Sequence, residues 1–223
     1  MIFVTGDKHG QLAPFLHNPG FSKIKKSDVL VVCGDFGFLW DKSRQEYKNL
    51  KWLSKRRYTI AFVDGFNDNM RIINEYPVSM WNGGHVRFIS KNIVYLMQGE
   101  LYIIENKKML AFGGGFNPNL SIDLENNNNW WPEQFTTKQY VENVIRNIEK
   151  YSGKFDLIVS HEAPSSITPC LEDGVYNNNA INCILEEIRL HCTFKKWFFG
   201  KYHIDRQIPP RYYALFEKVV KFE

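Results

Sequence analysis

The chain has 223 residues, 44% of them hydrophobic and 23% charged, with a formal net charge of +4. That balance fits a soluble globular protein long enough to bury a core, and a single domain over residues 1–223 is expected. No apolar run approaches the roughly 20 residues that a membrane helix requires, so no membrane partner is expected.

The chain opens directly on a predicted strand, Ile2–Thr5, with no charged leader and no cleavable apolar stretch, so a cytoplasmic location is expected. This strand ends in Gly6-Asp7-Lys8-His9. Residues 11–19 form a short segment broken by Pro14 and Pro19. Val29–Cys33 reads as a second strand, ending in Gly34-Asp35, and an amphipathic helix over residues 42–57 places Tyr47, Leu50 and Leu53 roughly on one face. Thr59–Val63 is the third strand, before Asp64-Gly65-Phe66-Asn67-Asp68. This βαβαβ rhythm predicts a parallel sheet with right-handed crossovers.

The middle of the chain changes period. Residues 86–89, 93–96, 101–105 and 108–112 are short predicted strands joined by Ser90-Lys91-Asn92, Gln98-Gly99 and Asn106-Lys107, which reads as a β-meander. Residues 117–129 are polar, end in Asn126–Asn129, and read either as a surface loop or as a substrate-facing lid. A helix over residues 137–151, starting from a Thr137 cap, leads to a strand at 156–159 and then Ser160-His161-Glu162. The helix over 178–189 carries Ile181, Ile184, Leu185 and Ile188 as a core stripe. A strand at 197–199 before Gly200-Lys201-Tyr202-His203 and a closing strand at 214–221 complete the chain. The architecture expected is α/β: a four-layer αββα sandwich of two mixed β-sheets.

Cys33, Cys170, Cys183 and Cys192 show no Cys-x-x-Cys spacing and read as reduced thiols, Cys33 being a small buried strand residue. Lysines and arginines bunch at Lys23-Lys25-Lys26, Lys51-Lys55-Arg56-Arg57 and Lys195-Lys196. Such clusters read as a solvated face or, less commonly, as a nucleic-acid footprint.

Five of the strands thus end in carboxylates or imidazoles, the residue types that build a two-metal hydrolytic site at strand ends. The series Asp7-Lys8-His9, Gly34-Asp35, Gly65-Phe66-Asn67-Asp68, His161 and Gly200-Lys201-Tyr202-His203 resembles the five blocks of the calcineurin-like metallophosphoesterases. Trp81-Asn82-Gly83-Gly84, Gly113–Gly115 and Trp130-Trp131-Pro132-Glu133 look like a bacterial and phage branch of that family. The third and fifth blocks depart from the family pattern.

The resemblance implies that Asp7, His9, Asp35 and His203 hold one metal, for which Mn²⁺, Fe²⁺ or Zn²⁺ suits the imidazoles better than Mg²⁺. It implies a second metal on Asp35 and His161 together with an Asn and a His that this chain replaces. Lys201 stands where the family has its first fifth-block His. Aligned without gaps, Phe66 stands on the Asn and Asn67 on the His that assists leaving-group departure; a one-residue slip makes Asn67 a ligand and puts Asp68 at the His. Neither register restores an imidazole.

A lysine ammonium about 4 Å from a divalent ion is repelled by roughly 8 kcal/mol at an effective dielectric of 20, so the two do not share one position. Either Lys201 replaces the second cation or it swings to solvent. The reading that follows is a pseudo-phosphoesterase that binds a phosphorylated small molecule, nucleic acid or protein through one divalent transition metal. The alternative is an active phosphoesterase in which Lys201 acts for the second metal and Asn67, Asp68 or Glu162 orients the leaving group. A weaker alternative is a nucleic-acid-binding domain.

Overall fold

The computed structural model describes residues 1–115, 138–171 and 178–223. The first sheet has the order β13-β1-β2-β3-β6-β5-β4. Its centre is parallel: β1 (Ile2–Thr5), β2 (Val29–Cys33), β3 (Thr59–Val63) and β6 (Ile93–Leu96), with Phe3 opposite Leu30, Leu30 opposite Ile60 and Ile60 opposite Ile93. Antiparallel strands flank it: β5 (Gly84–Ser90) and β4 (Val78–Trp81) at one edge, β13 (Val220–Lys221) at the other.

The second sheet has the order β11-β12-β10-β9-β8-β7. Its parallel core comprises β8 (Lys107–Phe112), β9 (Leu157–Ser160), β10 (Lys196–Phe199) and β12 (Tyr212–Ala214). The antiparallel edges are β7 (Leu101–Ile104) and β11 (Arg206–Ile208).

Central strands this apolar are buried on both faces, and the period-2 alternation of side chains sorts them into layers. Ile2, Val4, Val29, Val31 and Cys33 of the first sheet meet Met109, Ala111, Leu157 and Val159 of the second between the sheets. Their neighbours Phe3, Leu30, Val32, Ile60 and Phe62 point outward to the helices α1 (Ala13–His17), α2 (Pro19–Ser22), α3 (Arg44–Leu53) and α4 (Met70–Asn74). On the far side Leu110, Phe112, Ile158, Trp197 and Phe199 meet α5 (Lys138–Lys150) and α6 (Ala180–His191). Helix, sheet, sheet and helix make the four layers expected.

Local chemistry sets the helix ends. Asn18 caps α2 by accepting from Gly20 N at 2.8 Å, Ser43 caps α3 through Glu46 N at 3.2 Å, and Asn179 with Asn182 forms a capping box on α6. The predicted helix over 42–57 is shorter at both ends. Beyond Leu53 the carbonyls of Leu53, Arg56 and Tyr58 turn to the side-chain amide of Asn92, at 3.2–3.3 Å. Asn92→Ala removes this donor from the Arg56 and Tyr58 carbonyls, while Leu53 O keeps the Arg56 N–H at 2.9 Å, and a loss of about 1–3 kcal/mol in urea unfolding is expected.

Two strand expectations need correction. The four middle strands do not form one meander: β5 and β6 lie in the first sheet with the additional β4, and β7 and β8 in the second. The chain changes sheet at Met97–Glu100, where Gly99 takes φ 77°. The closing strand also divides, β12 joining the second sheet and β13 the first. Between them the Phe216, Glu217 and Lys218 amides donate to the Asp205 carboxylate at 2.9–3.2 Å, which diverts them from any ladder. The Thr137 cap, the loop at 117–129, Asn126–Asn129 and Trp130-Trp131-Pro132-Glu133 lie outside the described residues.

Candidate metal centre

The loops leaving β1, β2 and β3 of one sheet and β9 and β10 of the other rise from the C-terminal ends of parallel strands, the end at which open α/β sheets bind ligands. The His9 N–H and the Lys8 N–H both donate to Asp35 O at 2.9 Å, so the first two loops are fastened together. Gly34 has φ 85°, and a Cβ there would lie 2.1 Å from His161 Nδ1. At Gly200 a Cβ would lie 2.2 Å from Asp7 Oδ1. Glycine at these two positions lets backbone from one loop reach side chains of another.

Asp7, His9 and His203 bring one ligand atom each to within 4.8 Å of one another. His203 Nε2 lies 3.1 Å from Asp7 Oδ2 and 3.0 Å from His9 Nε2. A single proton on His203 Nε2 can serve only one of these two neighbours, whereas a cation serves all three donors together. One carboxylate and two imidazoles form a donor set that fits Mn²⁺, Fe²⁺ or Zn²⁺. His9, Asp35, Lys201 and His203 all have positive φ, between 45° and 65°. Left-handed backbone costs a non-glycine residue about 1–2 kcal/mol, and its concentration here marks a site held by its surroundings.

Asp35 lies just outside this trio. Its Oδ2 is 3.8 Å from His9 Nδ1, and Asn67 donates to both of its oxygens, from the main chain at 2.6 Å and from Nδ2 at 2.7 Å. His161 sits fully buried between the two aspartates, with Nδ1 3.6 Å from Asp7 and Nε2 3.6 Å from Asp35. Burial acts to lower the His161 pKa, but Asp35, Asp7 and Glu162 outweigh it and the net shift is upward, against Lys201. His203 is raised by its hydrogen bond to Asp7, against burial, with the charges of Asp7 and Asp35 adding. The two carboxylates therefore favour positive charge around them, from a proton or from a metal.

The remaining candidates are bound internally. Lys201 Nζ pairs with Glu162 Oε1 at 2.8 Å, and Glu162 is completely buried. Its Oε2 accepts from Asn179 at 2.8 Å and Asn182 at 2.9 Å. The Asp68 carboxylate accepts from the Phe36, Gly37 and Gly65 amides at 2.8–3.2 Å. Burial and the nearby Asp35 charge push Asp68 up to about 7, against the Gly37 and Gly65 amides. Phe66 is half-buried, and its backbone approaches Gly115 closely enough that a Cβ there would meet Phe66 N at 2.8 Å.

Among solved structures, the chain is similar to the phosphopantetheinyl hydrolase PptH from Mycobacterium tuberculosis, with 15% identity and a TM-score of 0.46 over 96% of this chain and 89% of that one. No protein-family model matches the chain, and no curated protein sequence matches it. Among the described residues, no helix is long and apolar enough to cross a membrane.

Sequence reasoning did not find three features of this site. Asn67 grips both oxygens of Asp35; Lys201 is tied to Glu162; and Lys8 turns inward, with Nζ donating to Phe216 O at 2.6 Å. Burial lowers the Lys8 pKa to about 8, against the Asp7, Asp205 and Glu217 charges. The only signal for the second was the position of Glu162 beside His161, and nothing local signals the other two.

A cleft of about 390 Å³ opens beside His9 and Asn67, with Trp40, Gln45 and Asn49 along its wall. A second, of about 540 Å³, lies on the other side of Asp7 and His9, against Lys8, His17 and Phe216.

Proposed function

We propose that this protein is a metallophosphoesterase-like binder of phosphorylated ligands, built on one transition-metal centre and with little or no turnover. The observation that carries the reading is the contrast between two neighbouring positions. At one, Asp7, His9 and His203 converge as a donor set that could hold a metal ion. Next to it, hydrogen-bond donors meet the acids: Asn67 covers both oxygens of Asp35, and the Lys201 ammonium is paired with Glu162.

Asp7, His9 and His203 would hold the ion, with Asp35 adjacent as a further carboxylate. When bound, Mn²⁺, Fe²⁺ or Zn²⁺ supplies a Lewis acid for phosphoryl oxygens. The chain's own groups then set the limits. Lys201 adds a fixed positive charge next to the buried His161, and no imidazole occupies the leaving-group position. Loss of such acid assistance lowers rates by about 10²–10⁴-fold. The ligand is a phosphorylated small molecule, nucleic acid or protein.

The second reading, slow hydrolysis with one metal, is favoured by the cleft that opens directly at His9 and Asn67. Elemental analysis of the purified protein, with titration of inorganic phosphate and a p-nitrophenyl phosphodiester assay in Mn²⁺, tests both. One metal per chain, metal-dependent phosphate binding and no turnover are expected. Turnover with one metal, lost in Asp35→Asn, supports the second reading. Two metals per chain with turnover overturn the first.

A further inference from the structure

We propose that the end of the first sheet opposite the metal centre is a docking surface for the phosphate backbone of single-stranded nucleic acid. Parallel pairing places the turns leading into β2, β3 and β6 side by side, since Val29 lies opposite Thr59 and Ile60 opposite Ile93. Hydrogen bonds fix them there: Thr59 N donates to Asp28 O at 3.0 Å, and Ile60 N to Asn92 O at 2.8 Å. The Asn92 side chain then reaches back to the Arg56 and Tyr58 carbonyls.

Each of these turns carries cations. Lys23, Lys25 and Lys26 belong to the first, Lys55, Arg56 and Arg57 to the second, and Lys91 to the third; all are exposed except the half-buried Arg56. Clusters far apart in sequence become one row, and strands about 4.8 Å apart bring the three turns within about 10 Å. These seven cations exceed the net charge of +4 on the whole chain. Among the described residues none of them makes a salt bridge. Of the acids near that end, Asp28 and Glu105 both bond the Met1 ammonium, and Glu223, just past the end of β13, pairs with Lys221.

A cleft of about 480 Å³ lies between α1–α2 with Ile24 on one side and the second turn, Lys55, Arg56, Arg57 and Tyr58, on the other, with no acidic residue in its lining. Arg56 stacks over the Trp52 ring at 3.8 Å, and its buried Nε has no hydrogen-bond partner. Unpaired cations in a row, with an arginine–aromatic stack beside a cleft, suit a sugar–phosphate strand: the charges track phosphates and the planar groups meet bases. A membrane surface would call for several exposed apolar side chains among the cations; here Phe15, Phe21 and Ile24 are buried and Leu16 alone of the large apolar residues lining the cleft is exposed.

Fluorescence anisotropy of a labelled oligothymidylate of about 16 nucleotides, a length one binding groove can cover, tests this on the full chain. With about five phosphates neutralised, affinity should fall about 100-fold between 50 and 200 mM salt. The triple variant Lys55→Glu, Arg57→Glu, Lys91→Glu should weaken binding about tenfold or more at the lower salt, since each lost contact reduces the electrostatic term. Lys150→Glu, an exposed change on the opposite face of the molecule, should leave binding unaltered. Binding that persists in a chelator separates this surface from the metal centre. Absence of binding at low salt, insensitivity to salt, equal loss from Lys150→Glu, or preference for phosphatidylserine vesicles over the oligonucleotide overturns the proposal. Because the altered residues are exposed, an unchanged circular dichroism spectrum is expected. If the triple variant does not fold, Lys55→Gln with Lys91→Gln gives the same comparison with a smaller loss.

Discussion

Asp7→Asn is expected to weaken metal affinity about 100-fold or more, as read by the metal retained after dialysis against a chelator. Changes in groups that merely orient a ligand already cost about 10–100-fold, and this one removes the only carboxylate from the converging trio. Asn preserves the volume of Asp7, and its side-chain oxygen can still accept from Lys201 N, which lies 3.0–3.1 Å from the present carboxylate oxygens. The loss therefore reports charge and ligation more than loop collapse. A variant that retains its metal as the parent does would show that the centre lies elsewhere.

Lys201→Met should cost about 3 kcal/mol of stability, because breaking a buried ion pair leaves the other charge uncompensated. Glu162 is fully buried while Lys201 keeps 28% of its side chain exposed, so the acid bears most of the penalty and the figure falls at the lower end of the usual range. In a chain of this length that corresponds to a drop in Tm of about 6–12 °C. Lys201→Arg, which preserves the cation, should recover most of it. An unchanged melting temperature in Lys201→Met would mean that the other partners of Glu162, Asn179 and Asn182 among them, satisfy it without the lysine.

Much of the scaffold was legible because its signals are local. Val29–Cys33 and Thr59–Val63 are short apolar runs bounded by turn residues, and each is a strand. The assignment of the middle strands to sheets was not legible. Residues 93–96 and 101–104 look alike as apolar segments, and only the Gly99 turn together with inter-sheet packing sends them to different sheets. In the candidate site, Asp7, His9 and His203 were singled out by the resemblance to the metallophosphoesterase blocks, and the structure brings the three side chains together. The Asn67 grip on Asp35 depends on two loops meeting, and no periodicity encodes such an encounter. The Lys201–Glu162 pair joins residues on the loops after two separate strands, β10 and β9, in the same way.

The trio also has a topological consequence. Asp7 and His9 leave the first sheet, whereas His203 leaves the second, and 194 residues separate His9 from His203. An ion shared by these side chains acts as a cross-link that closes nearly the entire polypeptide into a ring. Ring closure restricts the unfolded ensemble, and the restriction grows with the length of chain enclosed. An ion held by these three residues would therefore also fasten the two halves of the sandwich together.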